Sequence, residues 1–262
     1  MRFFLVSLVV LFVGIGCSQK NKTTPLQENE IALTQPRVSS TSSIIDSSVV
    51  VSAELRMDDV NIFYTNDGTE PSMESTKYSR SFEVENEGIY AFKAFHSLWR
   101  PSEITVLKLY EKGIVPDDIK WISGSSDSYK GIGSSTLINQ EKASLNFRNA
   151  QWVGFDSVAV AEVHFKKKTF IETISIGYLI DTQSWIFPPS SVKVYWNETD
   201  TLEIKVPSLQ QLEPRELKDL QIQVGKELSS IRIEVMNVTE IPDWHDGKGN
   251  KAWLFMDEWI FK

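Results

Sequence analysis

The sequence predicts an all-β protein built from two β-sandwiches in tandem. Three observations carry this expectation. From about residue 48 onward, apolar and polar residues alternate with period two, the mark of strands with one buried face. Turn chemistry separates the alternating runs at short intervals. No helical period is long enough for a β-α-β unit, which excludes doubly wound sheets and β/α barrels.

The first sixteen residues stand apart from this body. Arg2 supplies a positive start, and Phe3 to Ile15 is an apolar run interrupted only by Ser7 and Gly14. The run is too short to span a bilayer comfortably and reads as a secretory signal. It ends at Gly14-Ile15-Gly16-Cys17, with Cys17 the single cysteine of the chain. This junction resembles a bacterial lipoprotein signal, with Gly14 where leucine is usual. The resemblance implies cleavage after residue 16 and acylation of Cys17 by fatty acids such as palmitate. Each buried methylene would contribute about 0.8 kcal/mol to membrane attachment. Residues 17–32 are polar, lack apolar periodicity and read as a tether. Ser18, in place of aspartate, implies by the same resemblance an outer-membrane protein on the periplasmic or cell-surface face.

Residues 33–112 form the first expected sandwich. Val60–Tyr64, Ile89–Phe95 and Ile104–Leu109 alternate as strands, separated by Asn66-Asp67-Gly68, Glu70-Pro71-Ser72, Glu87-Gly88 and Arg100-Pro101-Ser102. After a break at Gly113–Asp118, residues 113–262 form the second. Its clear strands are Val158–Phe165, Phe170–Ile180, Val192–Trp196, Leu202–Val206, Ile231–Met236 and Trp253–Phe261. Ser208–Asp219 is the one candidate for a helical turn, and Pro214 interrupts it. Seven of the eight tryptophans fall at or after position 121, so this half carries the aromatic surface or core.

Composition excludes several functions. The formal charge is −8, with no basic face for nucleic acid. One cysteine rules out a disulfide framework and a cysteine-rich zinc site, and three histidines argue against a histidine-rich metal centre.

Two resemblances sharpen the reading. Ile62-Phe63-Tyr64-Thr65-Asn66-Asp67-Gly68-Thr69-Glu70-Pro71-Ser72, with Tyr78, Phe82, Lys93-Ala94 and Pro101-Ser102, resembles the chitobiase/β-hexosaminidase C-terminal module, an immunoglobulin-like domain that serves as a spacer or support. Asp67 and Glu70 then read as turn residues rather than catalytic acids. In the second half, Gln151–Phe155, Ser184–Pro189, Pro242–His245 with Gly247 and Gly249, and Ala252–Glu258 occur in order. Together they resemble the galactose-binding-like (discoidin-type) jelly roll that follows the barrel in some family-20 β-hexosaminidases. The catalytic barrel is missing. Asp257-Glu258 cannot replace its acid pair, because neighbouring strand residues point to opposite faces.

Discoidin-type modules generally bind sugars at loops on one sandwich end, where an aromatic ring covers the sugar's C–H face. Trp244, His245 and Asp246, on a glycine-flanked loop, and Trp185, before a proline pair, are the carbohydrate-binding candidates; core packing also accommodates both tryptophans. Trp253, Trp196 and Phe255, inside strong strands, are expected in the core. The same resemblance implies a structural calcium held by Glu258 and Asn139, with a hydrogen bond from Glu258 to the Leu137–Glu141 loop as the alternative. The expected protein is therefore a non-enzymatic, lipid-anchored carbohydrate-binding component of a glycan-utilisation system. Its partners are a glycan, with amino-sugar polymers a candidate, the membrane through Cys17, and a protein partner in a glycan-degrading complex. The alternative is a structural or assembly lipoprotein that grips a protein through the same sandwich end, which a broad flat apolar patch would favour.

Overall fold

The computed structural model describes residues 31–197 and 200–262; Cys17 and its signal lie outside the described residues. The first sandwich packs a three-stranded sheet against a five-stranded one. Its strands are β1 (Arg37–Ser40), β2 (Ile44–Ile45), β3 (Val49–Glu54), β4 (Asn61–Thr65), β5 (Thr76–Lys77), β6 (Phe82–Val84), β7 (Gly88–Phe95) and β8 (Thr105–Glu111). The sheet orders are β1-β3-β6 and β2-β8-β7-β4-β5. The period-two pattern explains the packing: Val49, Val51 and Ala53 of β3 face Phe92 and Ala94 of β7, while Val50 and Ser52 turn outward.

The second sandwich comprises β9 (Asp118–Ser123), β10 (Val153–Phe155), β11 (Ala159–Ile180), β12 (Ser191–Tyr195), β13 (Thr201–Lys205), β14 (Glu216–Met236) and β15 (Leu254–Phe261). β11 and β14, 22 and 21 residues long, are antiparallel partners through their length and belong to both layers. Their early-with-late halves, Ala159–His164 against Ser230–Val235, join β9, β12 and β13. Their other halves, Thr173–Ile180 against Glu216–Gln223, join β15, which in turn pairs β10. A register break between His164 and Thr169 separates the two halves, and such bulges bend and twist a strand pair. Ala161, Val163, Val194 and Ile233 from one layer meet Ile174, Ile176, Met256 and Trp259 from the other in one core.

Sequence periodicity saw β11 as two strands and only the end of β14. Ser208–Asp219 is not helical: it runs irregularly to Arg215 and then enters β14. The polar Lys218 and Asp219 mask the alternation there. Asp219 faces away from the core, yet its side chain is only 2% exposed, because the first sandwich covers it.

That covering fixes the junction between the sandwiches. Ile44 and Tyr110 pack on Ile260. Gly113 passes so close to the Phe261 carbonyl that a Cβ would lie 2.5 Å from it, and Ile114 N–H donates to that carbonyl at 2.6 Å. Beneath lies a buried charge cluster. The Lys142 ammonium donates to Asp257 at 2.7 Å and to Asp219 at 3.1 Å. From the first sandwich, the Tyr110 hydroxyl donates to Asp219 at 2.7 Å, and Lys108 pairs with the same carboxylate. A Cβ on Gly177 would collide with both Lys142 Nζ and Asp257 Oδ1, so the cluster needs glycine at this strand position.

Replacing Lys142 with methionine leaves two buried carboxylates without their main counter-charge. The expected loss is about 3–5 kcal/mol, read by urea denaturation. Tyr110→Phe, made in the first sandwich, should destabilise by about 1–3 kcal/mol by leaving an Asp219 lone pair unmet. A Lys142→Met protein as stable as the parent would remove the cluster from the account of the junction.

Candidate functional site

The loops at one end of the second sandwich carry an exposed indole in a constrained backbone. β11 ends at Ile180, and Asp181 and Ile186 exchange both backbone hydrogen bonds at 3.0 Å. The four residues between them must reverse the chain. They do so with a single 3-10 turn and a left-handed residue, Trp185, at φ 64°. Side chains other than glycine pay about 1–2 kcal/mol in that region. Two backbone bonds hold it: Trp185 N–H to the Thr182 carbonyl at 3.0 Å, and Trp253 N–H to the Trp185 carbonyl at 2.8 Å. The Trp185 side chain is 39% exposed and its indole lies on Gly247, where a Cβ would come within 2.9 Å of Nε1 and Cε2.

Further rings extend from this point. Trp253 is half-buried and meets Tyr129 edge-to-face at 5.3 Å between centroids. Tyr129 continues to Phe147 at 6.3 Å, and the guanidinium groups of Arg148 and Arg215 each lie 5.7 Å from the Phe147 centroid. Arg215 returns to the start of the loop, with Nε and Nη2 bonded to Asp181 Oδ2 at 2.8 and 2.6 Å. The result is a partly exposed indole on Gly247, tied through its backbone to Trp253, directly before β15. The start of its loop is clamped by the half-exposed Arg215 on the buried Asp181.

The sequence candidates separate into distinct roles. Trp244 is half-buried, donates its Nε1–H to the Leu209 carbonyl at 2.9 Å and packs on Phe187 and His245. It lines an apolar cleft of about 170 Å³ with Phe187, Pro188, Pro189, Pro207 and Leu209. His245 is a correction: it is buried, and both ring nitrogens are engaged within the fold. Nδ1 accepts from Gly247 N–H at 2.9 Å and Nε2 donates to the Thr182 carbonyl at 3.0 Å. It therefore braces the Gly247 backbone beneath Trp185 instead of offering a nitrogen to a ligand. Asp246 is exposed at the tip of the same loop. Phe255 is core, as its strand pattern implies, and Trp253 and Trp196 are half-buried but pack against core clusters. Tyr129, Phe147, Arg148 and Arg215 were missed. Gly154 was the available signal, since a Cβ there would lie 2.8 Å from Tyr129 Cβ.

The first sandwich carries a family signature. Residues 41–106 match the chitobiase/beta-hexosaminidase C-terminal domain. In this chitobiase-type domain Asp67 closes the turn, its Oδ1 accepting from the Thr69 N–H at 3.0 Å and hydroxyl at 2.6 Å. The hydroxyl bond first, then the amide bond, hold the Asp67 carboxyl below its ordinary range. Glu70 pairs with Lys93. Both are turn residues of the chitobiase-type domain. No curated protein matches the chain.

Solved structures with similarity to the chain include a CBM32 module from Clostridium perfringens in complex with GlcNAc-α-1,4-galactose. It has 14% identity and a TM-score of 0.33, covering 56% of this chain and 91% of that one. A Streptococcus pneumoniae fucose-binding module has 13% identity and a TM-score of 0.35, covering 56% and 94%. A SusE-like protein has 10% identity and a TM-score of 0.34, covering 87% and 95%.

Glu258 and Asn139, the calcium candidates, are both hydrogen-bonded with the 137–141 loop. Asn139 spends its amide elsewhere: Oδ1 accepts from Glu141 N–H at 3.0 Å, and Nδ2 donates to Gln151 at 2.7 Å. Glu258 Oε1 accepts from Gln140 Nε2 at 3.1 Å, which is the loop hydrogen bond foreseen as the alternative. Among the described residues no group of three or more His, Cys, Asp or Glu could hold a metal. Burial pushes the Glu258 carboxyl up to about 8. Its Oε2 and Gln140 Oε1 are both buried without a partner, and a proton on the carboxyl supplies the donor that such oxygens require.

A pH dependence follows. The folded protein holds the Glu258 proton more tightly than the unfolded chain, whose ordinary value is 4.5. Its contribution is therefore complete below that value and is lost as pH rises toward about 8. Relative to wild type, Glu258→Gln should gain stability as pH is raised across this window, and neither chelator nor millimolar calcium should shift the wild-type melting temperature. A calcium-dependent rise in melting would reverse this assignment.

Proposed function

We propose that this protein is a non-catalytic, lipid-anchored glycan-binding component of a membrane-associated glycan-degrading system. The observation that carries the reading is Trp185. A large indole kept partly exposed in a left-handed conformation, with Gly247 making room for its ring, is costly for stability alone. Backbone strain concentrates at functional positions. The ring offers an apolar face for sugar C–H groups, while Arg148 and Arg215 offer donors to ring oxygens and hydroxyls. The one carboxylate in the clamp, Asp181, is spent on Arg215, which supports a binding role over acid-base chemistry. The alternation of rings with guanidinium groups favours a hydroxylated ligand over a flat apolar protein partner. Anchoring rests on the sequence at Cys17, and the chitobiase-type domain suits a spacer between that anchor and the binding end.

Three variants test this. Trp185→Ala should weaken binding to chito-oligosaccharides or galactosides about five- to thirtyfold, for a lost contact of about 1–2 kcal/mol, with melting unchanged. Trp244→Ala should instead lower the melting temperature before any ligand is added, since its indole is bonded within the fold. Full binding by a folded Trp185→Ala protein would remove this loop from the site. Separately, Cys17→Ser should move the protein from the membrane fraction to the soluble one; continued membrane sedimentation would overturn the anchor.

A further inference from the structure

We propose a second glycan-binding site on the outer face of the β9–β11–β14–β12–β13 layer, shaped for a neutral sugar chain. This rests on the reading that the protein binds glycans, but on different residues and a different surface.

Strand register places the side chains. Tyr195 of β12 lies opposite Arg232 of β14, and Arg232 lies opposite Glu162 of β11. Directly paired residues project to the same face about 5 Å apart, so the three form one row across the layer. Val163, Val194 and Ile233, beside them in sequence, point into the core. Ser230 lies two residues before Arg232 on the same face of β14. At the end of β12, Trp196 and Asn197 complete a cleft of about 430 Å³ with these four residues.

The row is pre-organised. The Tyr195 hydroxyl donates to Glu234 Oε2 at 3.0 Å, the Arg232 guanidinium lies 5.4 Å from the Tyr195 centroid, and Arg232 pairs with Glu234. Trp196 is half-buried, with the Lys226 ammonium 5.7 Å from its ring. An ordinary solvated strand face would alternate one exposed ring with one core residue. Trp196 keeps to this alternation and packs against the core, so Tyr195 is the ring that the layer presents outward, with Trp196 at the rim of the cleft.

The chemistry selects the ligand. Glu162 is 42% exposed; Lys120 and Arg232 lie opposite it on the neighbouring strands, and His164 lies 3.7 Å away on its own strand. Glu162 can accept hydrogen bonds from sugar hydroxyls, while Ser230 and Arg232 can donate. The charges on this face are balanced: Glu162 lies opposite Lys120 and Arg232, and Glu234 lies opposite Lys193 while pairing with Arg232. A face without excess charge suits a neutral polymer over an acidic one. Trp185 lies in the loop before β12 and Tyr195 is the last residue of β12, whose five residues alone span about 13 Å. One polymer that reached both sites would gain from linkage without any new contact.

The test uses affinity electrophoresis of the purified protein in gels containing galactomannan, xyloglucan or mixed-linkage β-glucan, with polygalacturonate as the acidic arm. Wild type should be retained by a neutral polymer and not by polygalacturonate. Glu162→Gln, which preserves shape, and Tyr195→Ala should each weaken retention about fivefold or more, as loss of a charge-assisted hydrogen bond or a stacking ring predicts. Combined with Trp185→Ala, either should abolish it. Unchanged retention of folded Glu162→Gln and Tyr195→Ala proteins would overturn this site, while Trp185→Ala alone decides the first. Retention by polygalacturonate alone, or by none of the neutral polymers, would also overturn it.

Discussion

The structure depends most on one buried cation. The Lys142 side chain is 4% exposed and shares its ammonium between Asp257 and Asp219. Burial alone would strip such a lysine of its proton. The charges of Asp257 and Asp219 outweigh burial and hold the ammonium above the ordinary lysine value. Burial would likewise raise Asp219, but Lys142, with Lys108 and the Tyr110 hydroxyl, pulls it below the usual carboxylate range. No member is satisfied without the others, and two of them, Lys108 and Tyr110, come from a different sandwich. A buried ion cluster of this kind adds little net stability over apolar packing. It does specify one arrangement, because any other docking would leave a carboxylate both dry and unpaired.

How much of this was legible in the sequence depended on the kind of signal. Alternation in Ala159–Phe165 and Val192–Tyr195 reads directly as strand, because each apolar residue meets the core of its own layer. It fails over Glu216–Gln221, where Leu217 packs under the loops of its own sandwich and the charged Asp219 is covered by the first sandwich. A polar residue under a domain interface looks like a solvent-facing residue until the interface is known. Gly177 carried the missing information, since glycine inside a strong strand marks a close approach. What approaches it, Lys142 and Asp257, lies 35 and 80 residues away.

The loop end of the second sandwich shows the same division. Composition and loop position nominated Trp185 and Trp244 equally, and nothing local separates them. The difference arises from backbone φ at one and a distant carbonyl at the other: Trp185 is left-handed and partly exposed, while the Trp244 N–H reaches Leu209. His245 looked like a ligand donor because histidine on a glycine-rich loop commonly is one. Its actual partners, Thr182 and Gly247, tie the two loops that carry and floor the Trp185 ring. Supporting residues of this kind are invisible to motif reading because their role is defined by the loop they brace.

The locked junction also gives the first sandwich a mechanical meaning. The chain arrives at its far side, where Ile31 and Leu33 pair with Arg100, and leaves at Glu111, where Lys262 and Gly113 fasten the second sandwich. Between those points runs β8, seven residues or about 20 Å of extended strand. A flexible linker there would let the second sandwich sample many orientations relative to the first. A buried, charge-satisfied junction removes that freedom. Whatever holds the chain before residue 31 therefore acts on both sandwiches as one lever. The Trp185 loop and the Tyr195 row belong to the same sandwich, the loop fastened to β11 and to Trp253 before β15, and the row to β12, β14 and β11.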